Sequence, residues 1–148
     1  MIVVAEESDL TRVVNGCAEF FDESGLPGQL NVDTWIEFWA ESFRNNTGKM
    51  WIFEHQGEFC GALAGLFFVN PVNGMLTASE LLWYVKPEWR GNTGGTALYR
   101  AFEKEAWERG AGMLAMAHLL EGGTPDILRR FYLREGFRPV EKTYLKEL

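Results

Sequence analysis

Two cysteines, two histidines, five prolines and no long apolar run leave several classes of protein without material in these 148 residues. Cys17 and Cys60 show neither a Cys-x-x-Cys pair nor Cys/His ligand spacing, so they read as free, buried thiols rather than a disulfide or a metal site. No stretch approaches the ~20 apolar residues of a membrane span. The start, Met1 to Glu7, lacks the basic residues and apolar run of a signal peptide. The expectation is a soluble, cytoplasmic protein with no membrane partner. Basic residues are outnumbered, 14 against 21 acidic, giving a formal charge of −7. A nucleic-acid partner is therefore a poor fit, because phosphate contacts need a basic surface. An acidic balance suits a cationic acceptor such as an amine, although many soluble proteins share it. What the chain does have is apolar content, 47% of residues, enough for a proper core. Its length fits one domain over 1–148, without repeat or linker.

Taken in order, Ile2 to Ala5 is a short apolar strand. Ser8 is placed to cap a helix from Asp9 that carries Leu10, Val13, Val14, Cys17 and Phe20 or Phe21 along one side, broken at Gly25-Leu26-Pro27-Gly28. Asn31 or Asp33 caps a second helix with Trp35, Phe38, Trp39 and Phe43, aromatics that fill a core or line an acceptor pocket. From Lys49 the period becomes extended. Met50 to His55, a turn at Gln56-Gly57-Glu58 and Phe59 to Val69 form a hairpin, and Met75 to Val85 the next strand. Met113 to Leu119 is nearly all apolar, as a central strand would be. Glu121-Gly122-Gly123 turns the chain. Thr124-Pro125-Asp126 opens a helix with a cap, a first-turn proline and an acid, and Gly136 ends it. Phe137 to Leu148 closes the chain as one or two strands.

The stretch that carries chemistry runs from Glu80 to Arg109. A strand through Val85 is followed by Lys86-Pro87-Glu88-Trp89, then Arg90-Gly91-Asn92-Thr93-Gly94-Gly95-Thr96, then a helix with Leu98, Ala101, Phe102 and Ala106 on one face and Gly110 past its end. Strand, glycine-rich turn and helix N-terminus present free N–H groups and the positive end of the helix dipole to an anion. Glycines let phosphate approach the backbone, and Arg90 adds positive charge. A Walker loop is excluded because Gly95-Thr96-Ala97 offers no lysine. A dinucleotide fingerprint is excluded by the spacing of Gly91, Gly94 and Gly95.

Val85-x-Pro87-x-x-Arg90-Gly91 followed by Gly95-Thr96-x-Leu98 resembles the Arg/Gln-x-x-Gly-x-Gly/Ala pyrophosphate loop of the GCN5-related N-acetyltransferases. Thr93 departs from it, standing where the first motif glycine is usual. Arg130-Phe131-Tyr132-Leu133-Arg134-Glu135-Gly136-Phe137 is similar to that family's Phe-Tyr-x-x-x-Gly-Phe element. More weakly, the Trp83-Tyr84-Val85-x-Pro87 run and the Tyr144-Leu145-Lys146-Glu147-Leu148 ending resemble small phage-encoded members. The resemblance spans nearly the whole chain and implies an α/β fold with a mixed sheet in the order βααβββαβαββ. It further implies acetyl-CoA as co-substrate, no metal, and direct acetyl transfer to a primary amine of a small molecule or peptide. It places acetyl-CoA against Arg90, Gly91, Asn92, Thr93, Gly94, Gly95 and Thr96, against the backbone of Trp83 to Val85, and against Asp126.

Tyr132 occupies the family's motif tyrosine, which implies a general acid for the departing thiolate. An amine with a pKa of ~10 must lose a proton before attack. Glu80, a carboxylate on an otherwise apolar strand, would be costly to bury without a role. In relatives with a base on this strand the matching face passes through Ser79, Leu81 and Trp83. Strict alternation then sends Glu80 to the other side unless a bulge intervenes, which leaves Ser79 as second choice. His118 reads as a satisfied core histidine, His55 as solvated. Arg129, Arg130, Arg134 and Arg138 read as a solvated helix face in preference to a contact for the adenosine 3′-phosphate. A non-catalytic acyl-CoA-binding module on the same scaffold is the competing reading, a nucleotide-binding module the third. The acceptor, acyl length and oligomeric state, homodimer included, are not encoded in any motif.

Overall fold

The structure, a computed structural model, describes residues 1–119 and 125–148. Its sheet holds β1 (Ile2–Val4), β2 (Gly48–His55), β3 (Glu58–Val69), β4 (Leu76–Val85) and β5 (Met113–Ala115), in the order β1-β2-β3-β4-β5. The first four strands pair antiparallel, and β5 runs parallel to β4. The helices are α1 (Leu10–Gly16), α2 (Ala18–Glu23), α3 (Val32–Arg44), α4 (Gly94–Glu108) and α5 (Pro125–Arg134). The fold is α/β with a mixed sheet, as expected. No helix among the described residues is long and apolar enough to cross a membrane.

Alternation along the strands sorts the core into two layers. Met50, Ile52, Ala62, Ala64, Leu82 and Tyr84 face Leu10, Val13 and Cys17 of the first helical segment and Trp39 and Ala40 of α3. Trp51, Phe53, Leu63, Phe67 and Ala78 face Leu98, Tyr99, Phe102 and Ala106 of α4 and Phe131 and Tyr132 of α5. Fully buried leucines and aromatics such as Leu98 and Phe102 each contribute about 1.5–3 kcal/mol. Cys17 and Cys60 fall in opposite layers, both free and buried, so the sheet itself separates them.

The hairpin turn at Gln56 and Gly57 is left-handed at both residues, with φ of 51° and 80°. That mirror-image turn matches the twist of the flanking strands. Asn31 caps α3, its side chain accepting from Thr34 N at 3.0 Å. Trp35, Trp39 and Phe43 of that helix pack into the first layer, while Phe38 stays exposed.

Four expectations are corrected. The first helix is two segments broken at Cys17, because Gly16 weakens the helix and lies directly beneath the Phe59 ring. Glu6 N donates to Asp9 Oδ2 at 2.9 Å, so the local N-terminal bond runs to Asp9 rather than to Ser8. The apolar run from Met113 yields only three strand residues at the sheet's edge, not a central strand. Residues 137–148 form no strand; each residue from Arg138 onward is exposed and lies outside helix and sheet. The turn Glu121-Gly122-Gly123 and the Thr124 cap lie outside the described residues.

Candidate active site

Everything chemical gathers where β4 and β5 part. The two strands pair only from Thr77 to Ser79 against Met113 to Ala115. Beyond that point β4 continues to Val85, paired on the β3 side alone among the described residues. Lys86 N–H bonds to Cys60 O on β3, whereas Val85 O accepts from Arg90 Nε at 2.8 Å on the other side. Antiparallel ladders alternate in this way, so the main-chain groups of Trp83 and Val85 face the open edge.

A bulge sets the chemistry of this edge. Gly65 pairs with Glu80 and Ala64 with Leu82, leaving Leu81 as the extra residue of β4. A Cβ on Gly65 would stand 2.5 Å from Phe102 Cε2, so a glycine is what lets α4 close over the irregularity. The extra residue shifts the alternation by one. Glu80 thereby lies with Ala78 and Trp83 on the α4/α5 side, while Ser79 pairs with Leu66 on the α1/α3 side. The structure brings Glu80 together with Tyr132 and separates Ser79 from both.

The contact between them runs through Ala117. Its N–H donates to Glu80 Oε2 at 2.9 Å, and its carbonyl accepts from Tyr132 Oη at 2.6 Å. Glu80 is 7% exposed, and burial pushes its carboxyl up to about 7, opposed by the Ala117 hydrogen bond. Burial, followed by the nearby Glu80 charge, raises the Tyr132 phenol above its ordinary range, so it stays protonated. Trp83, Phe131 and Phe137 surround the Tyr132 ring, with centroids 6.2, 6.0 and 5.4 Å away. His118 is exposed, its ring 6.3 Å from that of Tyr132, and so is not the core histidine expected from its apolar neighbours. Nothing in the sequence marks Ala117, because its part is played by the backbone.

The glycine-rich turn follows directly. Gly91 has a φ of 84°, a conformation few other residues adopt. Thr93 stands at the N-cap of α4 in helical conformation without a capping hydrogen bond; Asn92 Oδ1 accepts from Gly94 N at 2.9 Å instead. The Gly95 and Thr96 amides have no partner among the described residues, and the first turn of α4 holds no acid. These groups form an anion-receptive end. A Cβ on Gly94 would lie 2.2 Å from the Phe53 ring, so the glycine beside Thr93 is required by packing. Gly95 has ordinary clearance, with Val85 Cγ2 at 3.5 Å.

Arg90 is not the free cation the turn suggested. Its Nη2 meets both Glu23 carboxylate oxygens at 3.2 Å, and its guanidinium lies 5.6 Å from the Tyr84 ring. Tyr84 Oη in turn donates to Glu19 at 3.0 Å, and Phe20 packs edge-on to Tyr84. The short helix α2 is thus tied to the end of β4 by Glu19 and Glu23, residues for which sequence spacing gave no signal. Asp126 is exposed in the first turn of α5. Among the described residues no cluster of three or more His, Cys, Asp or Glu could hold a metal ion.

A mixed sheet whose parallel pair opens beside a glycine-rich helix N-terminus defines a protein of the acetyltransferase fold class. The model of the acetyltransferase (GNAT) family matches residues 14–137, and the chain belongs to that family. Similar solved structures include a predicted acetyltransferase with acetyl-CoA from Clostridium acetobutylicum. It shares 18% identity at a TM-score of 0.80, covering 99% of this chain and 95% of its own. A GCN5-related N-acetyltransferase from Ralstonia eutropha aligns at 0.76 with 18% identity, over 99% and 97% of the two chains. A ribosomal-protein-alanine N-acetyltransferase from Brucella melitensis aligns at 0.72 with 16% identity, over 100% and 98%. At such identities the likeness is one of fold. No curated protein matches the sequence.

Proposed function

We propose that this protein is an acetyl-CoA-dependent N-acetyltransferase that moves acetyl directly onto a primary amine. The observation that carries the reading is the bridge from Glu80 through the Ala117 backbone to Tyr132 at the head of the open β4 edge. Acetyl-CoA supplies an activated thioester; the chain supplies position and proton traffic. Gly95 and Thr96 amides, with the α4 dipole, suit the diphosphate. Main-chain groups of Trp83 and Val85 suit the pantetheine arm, and a strand-edge N–H suits the developing oxyanion. Asp126 is the proposed contact from α5.

Glu80, with its carboxyl near neutrality, is matched to taking a proton from an ammonium at physiological pH. Its second oxygen has no partner among the described residues, leaving it to the amine or an intervening water. Tyr132 keeps its proton and, by rotating its O–H away from the Ala117 carbonyl, can deliver it to the leaving thiolate. Among the described residues no Ser, Cys or His stands in a nucleophile–base arrangement here, which favours direct transfer.

The test has two stages. Titration calorimetry with CoA asks whether the site is a CoA site, and release of free thiol from acetyl-CoA over a panel of amines asks whether it catalyses. Binding with amine-dependent thiol release is expected. Binding without acetylation of any amine, together with an inert Tyr132→Phe substitution, would instead assign a non-catalytic acyl-CoA-binding module. No uptake of any CoA species would overturn both.

A further inference from the structure

Tyr132 can deliver a proton only if α5 holds its hydroxyl in place, and α5 has few polar ties to the rest of the protein. Among the described residues, side-chain hydrogen bonds leave this helix and the turn that ends it at two points. One is the phenol itself, on the Ala117 carbonyl at 2.6 Å. The other is Glu135, directly after the last helical residue Arg134, and it is held from α4. Arg100 Nη2 donates to Glu135 Oε1 at 2.9 Å, and Arg100 Nη1 lies 2.8 Å from Oε2. Such a two-pronged guanidinium–carboxylate pair fixes direction as well as distance.

The fork is itself anchored. Arg100 Nη1 also donates to Glu103 Oε2 at 2.9 Å, and Glu103 Oε1 accepts from Tyr99 Oη at 2.8 Å. The Tyr99 ring is fully buried and lies 5.1 Å from the Arg100 guanidinium. That ring meets Phe131 at 5.1 Å and Phe137 at 6.1 Å, and both of these pack on Tyr132. Arg100 therefore reaches Tyr132 by two routes, through the end of α5 and through a chain of rings. Its side chain is 49% exposed, so the pair adds little to stability. Its effect is one of position. Tyr132 stands three residues before Glu135, on the same side of the helix, and a shift at Glu135 carries the phenol with it.

We propose that Arg100, through its fork with Glu135, is a positioning residue for acetyl transfer, holding α5 so that the Tyr132 hydroxyl stays at the open β4 edge. The assignment rests on the general-acid role proposed for Tyr132.

Four forms of the full chain test it: wild type, Arg100→Gln, Tyr132→Phe and the double variant, assayed with acetyl-CoA and the amine giving fastest thiol release. Arg100→Gln should lower kcat about 10-fold, with KM for acetyl-CoA and the calorimetric affinity for CoA unchanged. Glu135→Gln should match it, and Arg100→Lys, which keeps the charge but not the fork, should not restore the rate. In the Tyr132→Phe background Arg100→Gln should change kcat less than about 2-fold, because no phenol is left to place. Lys104→Gln, which breaks the exposed Lys104–Glu108 pair on the same helix, should leave kcat as it is. A reading without turnover uses 3-fluorotyrosine at position 132, whose fluorine resonance should move with Arg100→Gln and not with Lys104→Gln. Equal losses in both backgrounds, an unmoved fluorine resonance, or a loss of CoA affinity in place of kcat each overturn the proposal. An inert Tyr132→Phe instead removes the general-acid reading beneath it, and that single variant tells the two failures apart.

Discussion

At the scale of single residues, Glu80 has the environment with the most to test. Its carboxyl is near 7 in the folded chain against an ordinary value of 4.5, so the native state binds the extra proton between those values. The stability that this proton brings is complete below pH 4.5 and lost as pH rises through 7. Relative to Glu80→Gln, the wild type should lose stability between pH 5 and pH 8.5, by at most on the order of 3 kcal/mol. Urea titrations of both proteins at the two pH values check this. In catalysis the sign reverses: kcat/KM should fall as pH drops below about 7, and that limb should vanish with a much slower Glu80→Gln enzyme. Tyr132→Phe should lower kcat about 100-fold with little change in KM for acetyl-CoA, read by thiol release. Ala117 is exposed, so losing that hydrogen bond should cost little stability.

At the scale of elements, the glycine-rich turn and the β4 bulge do the positioning. Gly94 and Gly95 are adjacent in sequence but not in circumstance. Gly94→Ala drives a methyl into the Phe53 ring and should cost about 2 kcal/mol, while weakening CoA binding by tilting the start of α4. Gly95→Ala meets ordinary contacts in a helical conformation and should be neutral or stabilising by about 0.5 kcal/mol. Thermal melts of the two variants separate these outcomes. The turn and helix were readable from the glycines themselves, because φ limits and helix termini are local properties. The side of the sheet that Glu80 occupies was not. It depends on one extra residue in β4, and only the pairing with β3, the packing of Phe102 against Gly65 and the covering helix reveal it.

At the scale of the whole molecule, the two layers of core decide which groups are reachable. Cys17 and Cys60 are sealed on opposite sides of the sheet, and burial pushes the Cys17 thiol up to about 12 and raises Cys60. The folded protein should therefore give essentially no reaction with a thiol reagent and both thiols on denaturation, leaving released CoA as the sole signal in a thiol assay. Ligand should act globally as well. CoA at one hundred times its dissociation constant should stabilise the fold by about 2.7 kcal/mol, seen as a thermal shift that ATP does not reproduce.

Local regularities in the chain were sufficient for the α/β class, the hairpin at Gln56-Gly57, the glycine-rich turn into α4 and the helix that carries Tyr132. Each rests on neighbours in sequence: apolar period, turn residues, caps. Tertiary structure alone decided that Glu80 and not Ser79 meets Tyr132, that Ala117 joins them, that Glu23 engages Arg90, and that the last residues leave the sheet. Those outcomes depend on strand register and on partners brought together from distant parts of the chain, which no local pattern of side chains encodes.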